Sequence, residues 1–160
     1  MDLQFLIQVS EPTPTPASDS TGATRGAGAA VSKNLTTDGQ GPICIVDDDG
    51  SVCDSLTVLL EIHGFAVHAY SSAADFLNSP ERDKARCLVV DQHMPRMGGL
   101  ELIAELKRQR IVLPSILITG RLDAAITQRA HGLGVTAVLE KPFPVARLVE
   151  LIQATLASRG

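Results

Sequence analysis

Residues 87–99 read CLVVDQHMPRMGG. Four apolar or small residues, Cys87–Val90, run without polar alternation into Asp91. Such a run is the pattern of a central parallel strand covered on both faces. Pro95 has no N–H to give a ladder and restrains Met94 before it, so the strand is over by Met94. Asp91 is therefore expected at the carboxyl end of a central strand. In open α/β sheets that edge is where ligands bind.

Upstream, Ile43–Val46 is a second short apolar run, ending in Asp47-Asp48-Asp49-Gly50. Val52, Leu56, Leu59, Leu60 and His63 then fall on one helical stripe, and Gly64 suits the residue just past a helix end. Phe65–Tyr70 predicts a strand. Ser72 and Asp75 resemble a capping box for a short helix to about Asn78, and Ser79–Arg86 predicts a loop. Downstream, Leu100, Leu102, Ile103 and Leu106 predict a helix to about Gln109, with Lys107, Arg108 and Arg110 suited to its negative end. Ser115–Thr119 predicts a strand, closed by Gly120. Asp123–His131 predicts a weak, Ala-rich helix closed by Gly132 and Gly134. Ala137–Leu139 predicts the last strand, running into Glu140-Lys141-Pro142. Val145, Leu148, Val149, Ile152 and Leu156 mark a final helix. The sum is (βα)5, an α/β domain over residues 41–160 with a parallel sheet, helices on both faces and right-handed crossovers. No room is left for a second domain.

Composition narrows the function. Of 160 residues, 44% are hydrophobic, ordinary for a globular domain, and no apolar run is long enough to span a bilayer. Met1–Val9 contains Leu3, Phe5, Leu6, Ile7 and Val9, but Asp2 stands where a signal peptide needs positive charge, so the expected location is the cytoplasm. A net charge of −4 without a basic run argues against a nucleic-acid surface, and five aromatics without Trp argue against base stacking. Cys44, Cys53 and Cys87 lack CxxC spacing and read as small buried hydrophobes. His63, His68, His93 and His131 lack zinc-ligand spacing. Residues 1–40 differ in composition rather than charge. Pro, Thr, Ser, Gly and Ala dominate Glu11–Ala30, so the segment is expected to be a disordered tail. Leu3–Val9 reads as part of that leader.

Four strand ends carry groups that a reaction could use: Asp47 with Asp48, Asp91, Thr119 and Lys141. In a parallel sheet these ends share one edge. Clustered carboxylates stay ionised together when a cation joins them, and hard oxygen ligands favour Mg2+. A lysine could neutralise an incoming phosphoryl group, a hydroxyl could hydrogen-bond it, and a carboxylate could attack it. These are the parts of phosphoryl transfer.

With IVDDD (45–49), VVDQHMPRMGG (89–99), LITG (117–120) and EKPF (140–143) in order at strand ends, the chain resembles the receiver domain of bacterial two-component response regulators over residues 42–157. The resemblance implies a flavodoxin-like, doubly wound parallel sheet in strand order 2-1-3-4-5. It implies that Asp91 accepts a phosphoryl group from a phosphohistidine of a sensor kinase or phosphotransfer protein. Asp48, Asp91 and the backbone carbonyl of His93 would ligate Mg2+, with Asp47 supporting the ion through water. Lys141 and Thr119 would contact the phosphoryl oxygens, Gly120 would bring its N–H close, and Pro142 would follow Lys141 through a cis bond. His93 and Arg121, each two residues past a site residue, occupy positions where family members tune hydrolysis of the acyl phosphate. Signalling would run through the face formed by the fourth helix, fifth strand and fifth helix, which binds a partner or a second copy. The same resemblance extends to receivers that precede helix-turn-helix DNA-binding domains, and this chain supplies no such domain.

The sequence also departs from the family. Val138 stands where many receivers carry a switch aromatic, so switching here must use smaller groups or a shift of the fourth helix. Leu133 and Val135 flank Gly134 in a segment expected to pack differently. Two other functions compete. IVDDDGS (45–51) also resembles the nucleophile motif of haloacid-dehalogenase-type phosphatases, with Asp47 as nucleophile and Asp49 as general acid, although no acidic pair follows Lys141. Asp49 reads otherwise as a helix N-cap. The last alternative is an inactive receiver that serves only as an interaction module.

If the tail does not pack on the domain, deleting residues 1–36 leaves the thermal unfolding midpoint within about 3 °C, a change well under 1 kcal/mol for a domain of this size. Calorimetry of the full chain and the truncated form checks this, and a larger drop would mean that the tail docks.

Overall fold

The computed structural model describes residues 41–159. The expectations for the tail, including the disorder of residues 1–40 and the role of Leu3–Val9, lie outside the described residues. The elements alternate as the apolar runs dictate: β1 (Ile43–Val46), α1 (Gly50–Ile62), β2 (Val67–Tyr70), α2 (Ala73–Leu77), β3 (Cys87–Asp91), α3 (Gly99–Arg108), β4 (Ser115–Thr119), α4 (Ala124–Gly132), β5 (Ala137–Glu140) and α5 (Val145–Arg159). The five strands form one parallel sheet in the order β2-β1-β3-β4-β5. The fold is the flavodoxin-like (βα)5 sheet that the motifs imply.

Burial explains why the three middle strands read as continuous apolar runs. Every residue of β1, β3 and β4 is buried. Ile43, Ile45, Cys87, Val89, Ile116 and Ile118 face α1 and α5 in one core. Cys44, Val46, Leu88, Val90 and Leu117 face α2, α3 and α4 in the other. Alternation survives as a choice between two cores, not between core and water. The edge strands β2 and β5 are only partly buried. All three cysteines are buried, and among the described residues none forms a disulfide. Burial pushes the thiols of Cys44 and Cys53 up to about 12 and about 11, which keeps them protonated and unreactive.

Three helices stop in the same way. Gly64 (φ 92°), Arg110 (φ 62°) and Gly134 (φ 75°) take the left-handed conformation just past α1, α3 and α4. In each case the next N–H folds back onto the helix: Phe65 to the Leu60 carbonyl, Ile111 to that of Leu106, and Val135 to that of Ala130. This corrects three expectations. Phe65 and Ala66 do not belong to β2, because the Phe65 N–H is spent on α1. The helix ending near His131 runs on to Gly132, with Leu133 as its cap. His63 is not part of the buried stripe of α1. It caps the helix, and its ring Nδ1 donates to the Leu59 carbonyl at 2.9 Å. Within the expected 79–86 loop, Pro80–Asp83 forms a 3-10 turn, started by Pro80 at its first position.

The Gly98-Gly99 pair proves to be a matter of clearance. A Cβ at Gly99 would lie 2.6 Å from Leu117 Cδ1 and 2.8 Å from the Asp91 carbonyl oxygen. One at Gly98 would lie 2.6 Å from the Gln92 carbonyl oxygen. Only glycine lets α3 start directly against the end of β3. Gly99→Ala should therefore destabilise the domain by about 1–3 kcal/mol, overpacking outweighing the helical preference for Ala. Urea unfolding checks this, with a lower midpoint at unchanged slope expected. An unchanged midpoint would mean that α3 can shift away at no cost.

Candidate functional site

The sheet register places the site. Val90, Val46 and Tyr70 lie abreast across β3, β1 and β2, so Asp47 and Asp91 leave neighbouring strands at the same level. Asp91 pairs with Ile118, and Thr119 pairs with Glu140, which bring the ends of β4 and β5 to that edge. Asp47, Asp91 and Thr119 are buried, Lys141 is half-buried, and Asp48, His93 and Gly120 are exposed.

Asp47, Asp48 and Asp91 offer oxygens that all lie within 4.8 Å of one another. Asp47 Oδ1 accepts from the Asp49 N–H at 2.9 Å, and its backbone carbonyl accepts from Cys53 Sγ at 3.3 Å. Asp91 Oδ2 accepts from the His93 N–H at 2.9 Å. Asp91 Oδ1 is buried and outside any directed hydrogen bond, and it forms an ion pair with Lys141 Nζ at 3.0 Å. Burial pushes the Asp47 carboxyl up to about 6. The Asp49 N–H opposes that rise, the Asp91 carboxylate adds to it, and Lys141 offsets part of it. A divalent cation fits this donor set: three hard carboxylates converge, and burial together with the neighbouring Asp91 carboxylate drives Asp47 towards its protonated form.

Thr119 is placed at the site, but its hydroxyl is engaged elsewhere. Oγ1 donates to the Arg121 carbonyl and accepts from the Arg121 N–H, both at 3.1 Å. His93 Nε2 lies 3.3 Å from the same oxygen and donates to it in the Nε2–H tautomer. The one O–H of Thr119 is thereby spent on the Arg121 carbonyl, within this set of contacts. Thr119 can reach a group on Asp91 only by releasing some of them. Asp49 is a helix cap, as its position suggested, since its Oδ1 accepts from the N–H groups of Ser51 and Val52. The Lys141–Pro142 peptide is cis. Val138 is half-buried against the core beneath α4.

Sequence reasoning missed two residues. Gln92 Oε1 accepts from the Leu100 N–H at 2.9 Å, which fixes the start of α3 next to Asp91. Glu140 Oε2 accepts from the Leu122 N–H at 3.1 Å. Both are polar residues beside stronger motif residues, and nothing in their spacing marks them.

Residues 43–153 match the family model for the response regulator receiver domain. The chain belongs to the response-regulator receiver family. It is 38% identical over 115 residues to the transcriptional regulatory protein FixJ of Azorhizobium caulinodans, covering 72% of this chain and 54% of that protein. It is 40% identical over 116 residues to nodulation protein W of Bradyrhizobium diazoefficiens, covering 72% of this chain and 50% of that one. The chain thus spans about half the length of these relatives. Among solved structures it is similar to FixJ-N (35% identity, TM-score 0.66, 74% of this chain and 94% of that one) and to the response regulator StyR (35%, 0.69, 74% and 60%). Receiver domains are phosphorelay signalling modules rather than turnover enzymes. Among the described residues, no helix is long and apolar enough to cross a membrane.

The raised Asp47 carboxyl has a pH consequence. A carboxyl with a folded value near 6, above its usual 3.8, holds a proton in the fold through the window from about pH 4 to 6. The folded domain therefore loses stability from this group as pH rises through that window, and the cost is complete above it. A cation must displace that proton. Mg2+ affinity measured by calorimetry should hold between pH 7 and 8 and fall below about pH 6, with little proton exchange on binding at the higher pH and proton release appearing at the lower. Affinity constant down to pH 5 would place the ion away from Asp47.

Proposed function

We propose that Asp91 is the phosphoryl acceptor of this receiver domain. The observation that carries the reading is the buried Asp91 carboxylate at the centre of the strand-end cluster, with Lys141 Nζ 3.0 Å from one of its oxygens. A carboxylate oxygen attacks the phosphorus of a phosphohistidine. The new P–O bond forms as the P–N bond breaks, and the freed imidazole takes up a proton. The product is an aspartyl phosphate on this chain. Asp48, Asp91 and the His93 backbone carbonyl would hold Mg2+, with Asp47 acting through water, and the ion when bound offsets charge on the phosphoryl oxygens. Lys141 moves from pairing with the carboxylate to pairing with the phosphoryl group. Thr119 and the Gly120 N–H donate to its oxygens once Thr119 leaves Arg121.

The donor is a sensor histidine kinase or a histidine phosphotransfer protein, in the cytoplasm. The chain acts on itself, through phosphoryl acceptance and slow hydrolysis, without turning over a free substrate. Phosphorylation shifts the population of the α4-β5-α5 face towards a form that binds a partner or a second copy. The packing of α4 supports this choice, because Ala130 is its one fully buried residue and little apolar area opposes its movement.

With Mg2+ and a small-molecule phosphodonor, the wild type should gain about 80 Da, one aspartyl phosphate. Asp91→Asn should gain nothing, and Lys141→Ala should gain the group but fail to change its partner-binding face. Intact mass spectrometry decides the first point. Normal phosphorylation of Asp91→Asn would overturn the assignment.

A further inference from the structure

The Gly120–Asp123 loop joins the site to α4, and its two sides are held by different residues. On the site side, Thr119 Oγ1 bonds both the N–H and the carbonyl of Arg121. On the far side, the next N–H, that of Leu122, donates to Glu140 Oε2 at 3.1 Å. Glu140 ends β5, sits opposite Thr119 in the register and directly precedes Lys141. Asp123, the next residue along, caps α4 by accepting from the Ile126 N–H at 2.9 Å. One carboxylate therefore ties down the loop between the switch hydroxyl and the helix cap. The helix beyond it has little buried area to hold it in place. No ring stands at Val138 to occupy the space between Thr119 and the signalling face.

We propose that Glu140 is a positioning residue that holds the Gly120–Asp123 loop in its resting place and so sets how readily Thr119 turns to a group on Asp91. This rests on Asp91 being the phosphoryl acceptor. The one O–H of Thr119 is spent on the Arg121 carbonyl, and a phosphoryl oxygen only accepts. To reach a phosphoryl group it must let Arg121 go. Arg121 is joined by one peptide to Leu122, and the Glu140 bond resists that displacement. A contact made in the resting state and lost in the active one biases the equilibrium towards rest. Removing it should favour activation without touching the acceptor or the cation ligands.

The test uses the full chain as wild type, Glu140→Ala and Glu140→Gln. Glutamine keeps a side-chain acceptor and removes the charge next to Lys141. The readouts are amide hydrogen exchange at Leu122 in the resting protein and the half-saturating concentration of beryllofluoride with Mg2+, a phosphoryl mimic for Asp91. Glu140→Ala should exchange the Leu122 amide about tenfold faster or more. It should also bind beryllofluoride about fivefold more tightly, as expected for losing one charge-assisted hydrogen bond made in a single state. Glu140→Gln should stay near wild type in both. Equal Leu122 exchange in wild type and Glu140→Ala would overturn the tether. Equal tightening in both variants would assign the effect to charge beside Lys141 and also overturn it. The exchange comparison needs no ligand, so it decides the tether even if wild type binds no beryllofluoride, a result that would instead overturn Asp91 as acceptor.

Discussion

Asp47 and Asp91 leave adjacent strands at one level, with Asp48 beside them, and all three bring oxygens within 4.8 Å. At an effective dielectric of about 20, two such charges repel by roughly 3–4 kcal/mol, several times what a surface ion pair returns. The fold contains that conflict in three ways. The Asp47 carboxyl rises to about 6, backbone N–H groups of Asp49 and His93 donate to the carboxylates, and Lys141 pairs with Asp91. Three converging carboxylates of this kind suit a hard cation.

The strands exist to hold that cluster. β1 and β3 are buried on both faces, so their register is fixed by two cores at once, and a one-residue slip would exchange the residues of one core for those of the other. Gly98 and Gly99 let α3 begin against the last residues of β3, and Gln92 caps that helix from the loop. The end of β3 at Asp91 is therefore gripped from both sides by short-range geometry.

Much of this could be read before any coordinates. The apolar runs into Asp47, Asp91, Thr119 and Lys141 carried the sheet, its polarity and the acidic cluster, because strand burial and strand-end chemistry leave one-dimensional traces. Helix ends were less legible. Whether Phe65 belongs to β2 depends on the fate of one N–H, and Arg110 adopts a left-handed conformation that its type does not advertise. Least visible were the contacts across elements, such as His93 with Thr119 and Glu140 with Leu122. They join residues 26 and 18 positions apart, through side chains that would pass as surface charges. The family motifs pointed to what Thr119 does in an active receiver, whereas the structure records what restrains it at rest.

The central claim is that the carboxylate at the end of β3, and not its neighbour on β1, makes the bond to phosphorus. Its most direct measurement is to phosphorylate the wild type with a small phosphodonor, reduce the acyl phosphate with borohydride, and map the modified peptide by mass spectrometry. The account predicts homoserine at position 91 alone. Homoserine at position 47 would contradict it and return the chain to the phosphatase-like alternative.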